Sequence, residues 1–330
     1  MYRWILVGGV GAIAAVLTWW GAALTTSDFA QTWAAGRFLL AGTNPYDAIG
    51  PGREFEWRWP YFYPLTAPVA MLPLALAPLR VAEVLFSAMG AGLLAWILTR
   101  HSVRNPQLWV FTSLAFVAGG LRVQWSPVLI AAALLPSFGF LLATKPTIGA
   151  ALLLAYPSRR AIVGATLFGL LTVVMWPWWV PAWLTTNAAG APHFIAPVML
   201  PGGVLLLLAL LKWRRPEARL LAALACIPHT ITLYDSIPLF LAVRRSWEGV
   251  ALSALTYVTY AMLPDTDNLL TPAAATRHLW FMYVPCLTFI LGRPNVAPAG
   301  DGFTALVDFL RAGANRTNLA SSTKRVETTT

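Results

Sequence analysis

Apolar residues along the chain gather into twelve runs separated by short polar or proline-bearing breaks: 4–24, 63–79, 81–98, 108–121, 127–144, 147–157, 161–179, 198–211, 220–233, 236–243, 247–262 and 279–291. A helix that spans a bilayer needs about 20 apolar residues. The first run meets that length, so it reads as helix 1, N-terminus inside, rather than as a cleaved leader. Several other runs fall short, and pairs of them are expected to form broken or re-entrant helices. The pattern predicts an all-α polytopic membrane protein, a bundle of about ten to twelve spans. Residues 1–293 form its single transmembrane domain, with no internal repeat. The polar stretch 294–330 is expected to be a cytoplasmic, largely disordered tail.

The polar positions between the runs add detail. Residues 27–59 make the first outer loop. Within it Phe29, Trp33, Gly36 or Arg37, and Leu40 recur at helical spacing. That predicts an amphipathic helix over Asp28–Leu40, lying in the interface plane. Gly42-Thr43-Asn44-Pro45-Tyr46 ends it with turn chemistry. Counting crossings from an inner Arg3 places Arg80, Arg159-Arg160, Lys212 to Arg219, Arg244-Arg245 and Arg293 inside, as bare cations of cytoplasmic loops. Only Arg100, His101 and Arg104 break the rule. The same count puts Asp28, Lys145, His193, His229 to Asp235, and Asp265 to Arg277 at the outer face, where any chemistry is expected.

Composition agrees. Of 330 residues, 58% are hydrophobic and only 11% charged, where soluble domains carry about 25% charged residues. The 16 Trp and 9 Tyr suit interfacial belts. The 25 Pro and 24 Gly suit kinked, short helices. The net charge of +10 comes from the basic loop clusters, so it points to anionic headgroups rather than nucleic acid. Cys226 and Cys286 lie in apolar runs and read as small buried hydrophobes.

Few groups remain for chemistry. Asp28 is the first acid of the chain. Either Ser27 or Asp28 caps the interfacial helix, or Asp28 is a general base that takes a proton from an acceptor hydroxyl as that oxygen attacks a sugar carbon. Lys145 is one of three lysines. It either snorkels to the interface or serves as a point charge on a phosphate. His229 and Asp235 bracket an apolar stretch near an outer helix end. They form either a hydrogen-bonded pair that steadies a broken helix or part of a pocket around a leaving phosphate. Arg37, Arg58 and Arg122 are phosphate candidates that equally suit lipid anchors. His193 reads as a loop residue. Asp265 and Asp267 read as turn chemistry rather than a cation pair, and Asn315-Arg316-Thr317 as a chance sequon. No phosphate-cradling glycine loop, zinc spacing or nucleophilic triad occurs, so a nucleotide-sugar site is not supported.

Several segments, in this order, resemble a known family: Asp28-Phe29, Ala34-Ala35-Gly36-Arg37, Leu40 to Asp47 with Gly42-Thr43-Asn44-Pro45-Tyr46-Asp47, Tyr61-Phe62-Tyr63-Pro64-Leu65, and Ala77-Pro78-Leu79. Further on come Arg122-Val123-Gln124-Trp125-Ser126, Ala143-Thr144-Lys145-Pro146-Thr147 and His229 to Leu239. Together they resemble GT-C glycosyltransferases, most closely the polyprenol-phosphate-mannose-dependent mannosyltransferases of family GT87, also called DUF2029. The likeness covers about residues 25–245. The chain departs at Tyr63-Pro64-Leu65, which has one proline where the family has two, and at Val123, where the family has glycine. The resemblance implies an inverting transferase that moves a hexose, mannose first, from a polyprenyl-phosphate donor to a lipid or surface-glycan hydroxyl. Asp28 would be the base and His229 a second catalytic group. Lys145, Arg37, Arg58 and Arg122 would hold the donor phosphate, and Asn44, Tyr46, Tyr63, Gln124, Tyr234 and Asp235 would line the pocket. No cofactor or metal is implied. The implied setting is a bacterial inner membrane with the site facing the periplasm. Two other readings stay open: a transporter or flippase for lipid-linked sugar, and a non-catalytic subunit on the same scaffold.

Overall fold

The computed structural model describes residues 1–24, 26–190, 194–262 and 271–294. His193, Asp265, Asp267, Asn315-Arg316-Thr317 and the tail beyond residue 294 lie outside the described residues. Helix α1 spans Tyr2–Leu24 and α2 spans Asp28–Leu40, with α3 (Pro45–Ala48) after it. Two short strands, β1 (Ile49–Gly50) and β2 (Phe55–Glu56), pair in parallel. Helices α4 (Thr66–Ala75), α5 (Leu79–Leu98), α6 (Leu114–Leu121), α7 (Ser126–Leu134), α8 (Pro146–Ala155), α9 (Arg159–Met175) and α10 (Trp179–Ala189) follow. The chain ends in α11 (Pro216–Cys226), α12 (Ser246–Ala261), α13 (Pro272–His278) and α14 (Val284–Leu291). Runs at Pro106–Thr112, Pro136–Thr144, Gly203–Lys212 and Leu233–Ala242 wind as 3₁₀ helix, and a π turn at Leu279–Tyr283 joins α13 to α14.

The protein is helical nearly throughout, but the expected ten to twelve full spans are not there. Among the described residues two helices, Tyr2–Gly21 within α1 and Leu79–Leu98, are long and apolar enough to cross a membrane. The number rises to four if α6 with α7 and α9 with α10 each count as one broken span, bent by 110° and 105°. Proline is the cause. It opens or interrupts α4, α7, α8, α11 and three of the 3₁₀ runs, and its missing N–H and fixed φ end helical ladders that an apolar run would otherwise continue. The large apolar surface, with Trp4, Ile13 and Trp20 on α1 and Leu167, Leu170 and Val174 on α9 all more than half exposed, is what a membrane-embedded chain presents to lipid rather than to water.

Helix α2 runs over the residues that its periodicity predicted. Ser27 caps it, accepting from the Ala30 N–H at 3.2 Å and donating to Glu83. Most of α2 is buried, however, and not on one side only. Gly36 brings it against α4, where a Cβ would come within 2.9 Å of the Ala75 methyl. The helix is thus a packed element of the core; of its predicted apolar face, Leu40 alone is widely exposed.

Side-chain contacts sort the loops into two poles. At one, Arg3 donates to Trp96 O (3.0 Å), Asn105 to Leu98 O (2.7 Å) and Gln107 to Leu241 O (3.1 Å). Arg219 reaches Leu154 O and Ala155 O, and Glu217 meets Arg215, Arg244 and Arg293 at 3.0–3.3 Å. The segment with Arg100 and Arg104 therefore lies with the other basic loops, and the exception to the charge rule disappears. Arg80 moves the other way: it donates to Trp19 O at 3.0 Å, beside Glu83 and Ser27, at the opposite pole. Both corrections have one origin. Run 63–79 counted as a crossing, but its helix α4 has 10 residues, about 15 Å of rise. Nor are the basic loops bare, since Glu217 and Glu248 neutralise Arg215, Arg244 and Arg293.

Candidate active site

The pole opposite the basic loops holds a cavity of about 670 Å³ lined by residues of α2, the 57–64 segment, α8, α10 and the 227–234 segment. Asp28, Tyr63, Lys145 and Tyr234, four of the residues singled out from the sequence, line it. They arrive from stretches of chain over two hundred positions apart.

The turn before α7 places Asp28. The Asp28 N–H donates to Arg122 O at 3.1 Å. Val123 then takes a positive φ of 54° while almost fully buried. A β-branched residue in that region is strained by about 1–2 kcal/mol, and it is the position at which the resemblance calls for glycine. The turn directs Gln124 back onto Asp28, where its Nε2 donates to Oδ2. The Tyr234 hydroxyl donates to the same oxygen at 3.1 Å. Both bonds fall on Oδ2. Burial pushes the Asp28 carboxyl above the usual carboxylate range, against the pull of Lys145 and the Tyr234 hydroxyl. A carboxylate so placed is a stronger proton acceptor than one in water.

Lys145 stands at the start of α8, its Nζ 3.3 Å from Asp235 Oδ1. Asp235 is held in turn through Oδ2 by the hydroxyls of Thr230 (3.1 Å) and Thr232 (2.6 Å). Burial opposes the charge on Lys145, but the Asp235 carboxylate outweighs it, with Asp28 adding to the effect, so the ammonium persists at neutral pH. Burial pushes the Tyr63 hydroxyl up to about 12, so it is a hydrogen-bond donor and not an anion. Trp57, Phe62, Trp183 and Phe194 wall the rest of the cavity, and Asn187 stands among them, its Nδ2 donating to Trp183 O at 2.9 Å.

Other expected site residues lie elsewhere. His229 does not line the cavity. It is buried with Nδ1 2.7 Å from Ile227 O and Nε2 3.0 Å from the Tyr283 hydroxyl. Both ring nitrogens are engaged, and burial keeps its pKa below the usual value, so the structure shows it as a neutral group bonded into the wall. Asn44 caps α3 by accepting from the Tyr46 N–H (3.1 Å), and Tyr46 donates to Tyr63 O (3.0 Å). Both shape the wall from behind without lining the cavity. Arg37 is exposed over the Trp33 ring and Arg58 is exposed over the Trp59 ring; neither lines the cavity. Arg122 is half-buried behind Asp28, whose carboxyl it also stabilises as an anion. No group of three or more metal-ligating side chains occurs among the described residues.

Sequence reasoning missed Gln31, Trp183, Asn187 and Thr230. Trp183 and Asn187 stand four apart on α10 and so share one face, a signal present in the sequence but without a partner to give it meaning. Compared with protein-family models, with curated proteins and with solved structures, the chain matches none. What the site can do rests on its own geometry.

Proposed function

We propose that this chain is a membrane glycosyltransferase of the GT-C type, moving a hexose, mannose first, from a polyprenyl-phosphate donor to a hydroxyl of a lipid or surface glycan. The observation that carries the reading is the convergence of Asp28, aimed by Gln124 and Tyr234, and Lys145, held as a cation beside Asp235, on one cavity among apolar helices. The roles follow from the chemistry. Lys145 offers the donor phosphate a fixed positive charge. Asp28 takes the acceptor proton as the acceptor oxygen bonds to the anomeric carbon and the carbon–phosphate oxygen bond breaks. The lipid phosphate leaves as an already stable anion and needs little acid help. A single displacement inverts the anomeric centre. Tyr234 and Gln124 aim the base. The basic pole faces the cytoplasm under the positive-inside rule, which turns the cavity to the outer face of a bacterial inner membrane.

The test is transfer of labelled mannose in membranes by the wild-type chain beside Asp28→Asn. Asparagine keeps the size and an acceptor oxygen for Gln124 and Tyr234, so the fold is retained. Loss of a general base slows transfer by about 10²–10⁴-fold. A variant with full activity would remove Asp28 from that role. A transporter is the less supported reading, since the sequence carries no inverted repeat of the kind such folds use.

A further inference from the structure

Tyr283 falls in the last apolar run, where sequence reasoning assigned it no role, and it does not line the cavity, yet its hydroxyl meets the segment that forms the wall beside Lys145. It closes the π turn Leu279–Tyr283. Such single π turns insert one residue and re-aim the side chains that follow. Its side chain is 1% exposed and its hydroxyl lies 3.0 Å from His229 Nε2. Because Nδ1 meets a carbonyl, Ile227 O at 2.7 Å, Nδ1 carries the proton. Nε2 is then the acceptor and Tyr283 the donor.

His229 is the hinge point of two stretches of cavity wall. Its N–H and C=O pair with Ile195 at 3.3 and 3.1 Å, and Phe194 beside that bridge lines the cavity. On its own strand Ile227, Pro228 and Thr230 line it too. Thr230 and Thr232 then grip Asp235, which pairs with Lys145. Hydrogen bonds at both ends of the 229–232 backbone thus connect Tyr283, through His229 and the two threonines, to Asp235 and the lysine ammonium.

We infer that Tyr283 is a positioning residue: its bond to His229 latches the 227–235 segment in the arrangement that presents Lys145 to an anionic phosphodiester in the cavity. The inference rests on the reading of Lys145 as the phosphate site. The charged and titratable groups that face His229 are Asp235 and Lys145 from the neighbouring 3₁₀ run and α8, with Tyr283 from the π turn.

The experiment is equilibrium binding of a short-chain polyprenyl phosphomannose, citronellyl-phosphoryl-mannose, to the full chain in nanodiscs. The variants are Tyr283→Phe, His229→Asn, His229→Gln and the double variant Tyr283→Phe/His229→Asn. Glutamine carries an acceptor near the position of Nε2. Asparagine reaches only the position of Nδ1. Loss of one buried hydrogen bond corresponds to about tenfold weaker binding. We expect that loss for Tyr283→Phe and for His229→Asn, no further loss in the double variant, and near wild-type binding for His229→Gln. Rescue by glutamine but not by asparagine separates a specific latch from general damage to the fold. Binding of Tyr283→Phe equal to wild type, or multiplicative losses in the double variant, would overturn the latch. Failure of the wild-type chain to bind the probe would instead remove the phosphate site itself, and the role of Tyr283 with it.

Discussion

The Lys145–Asp235 pair can be tested apart from any activity. Asp235 is 2% exposed and Lys145 14%, with Nζ and Oδ1 3.3 Å apart. Removing one partner of a buried pair leaves the other charge uncompensated and costs about 3–5 kcal/mol, whereas replacing both can be neutral. Lys145→Met strands a buried carboxylate on the hydroxyls of Thr230 and Thr232. Asp235→Asn strands an ammonium beside Tyr63 and leaves Asp28 as the nearest remaining acid acting on it. Each single variant is therefore expected to unfold earlier, by about 5–10 °C, taking roughly 2 °C per kcal/mol for a chain of this size. The double variant Lys145→Met/Asp235→Asn should recover most of that loss. The coupling free energy should be at least about 2 kcal/mol, within the range seen for side chains in direct contact. The assay is thermal unfolding of purified protein in one detergent, read by intrinsic tryptophan fluorescence. Shifts that simply add in the double variant would mean that the two charges do not meet, and the description of the cavity would be wrong at its centre.

At Gly21 a Cβ would lie 2.4 Å from Leu121 O, where α1 crosses α6, while at Gly9 nothing lies within 4 Å; Gly21→Ala should destabilise by about 1–3 kcal/mol and Gly9→Ala should be silent or slightly stabilising, as thermal unfolding would show. Cysteines introduced at the exposed positions Arg104 and Glu54 should label from opposite sides of sealed membrane vesicles, and labelling from the same side would refute the two-pole arrangement.

The sequence carried some of this plainly and some of it not at all. Helix α2 was legible because its cap, its spacing and its terminating turn are all local. Asp28 and Lys145 were legible because a charge among apolar residues is costly and stands out. The span count was not, because hydropathy reads composition, while proline acts on backbone hydrogen bonds: Pro64, Pro68, Pro73 and Pro78 leave α4 too short to cross. That one miscount displaced Arg80 and the Arg100–Arg104 segment to the wrong poles. The bond between His229 and Tyr283 was not legible, because its partners stand 54 residues apart. The arginine loops looked bare because Glu217 meets Arg244 and Arg293 across 27 and 76 positions. Gln124 was picked out by resemblance, yet its task depends on the strained turn at Val123, which no side-chain pattern announces.

Under the proposed function, Asp28 is the base of a sugar transfer from a lipid-linked donor. The measurement that meets it most directly is the amount of labelled mannose moved from polyprenyl-phosphate-mannose to endogenous lipid or glycan, by membranes containing the wild-type chain and by membranes containing Asp28→Asn at equal protein level. Transfer by the first and a loss of at least about 10²-fold in the second are expected. Equal transfer by both, or none by the wild type, would contradict it.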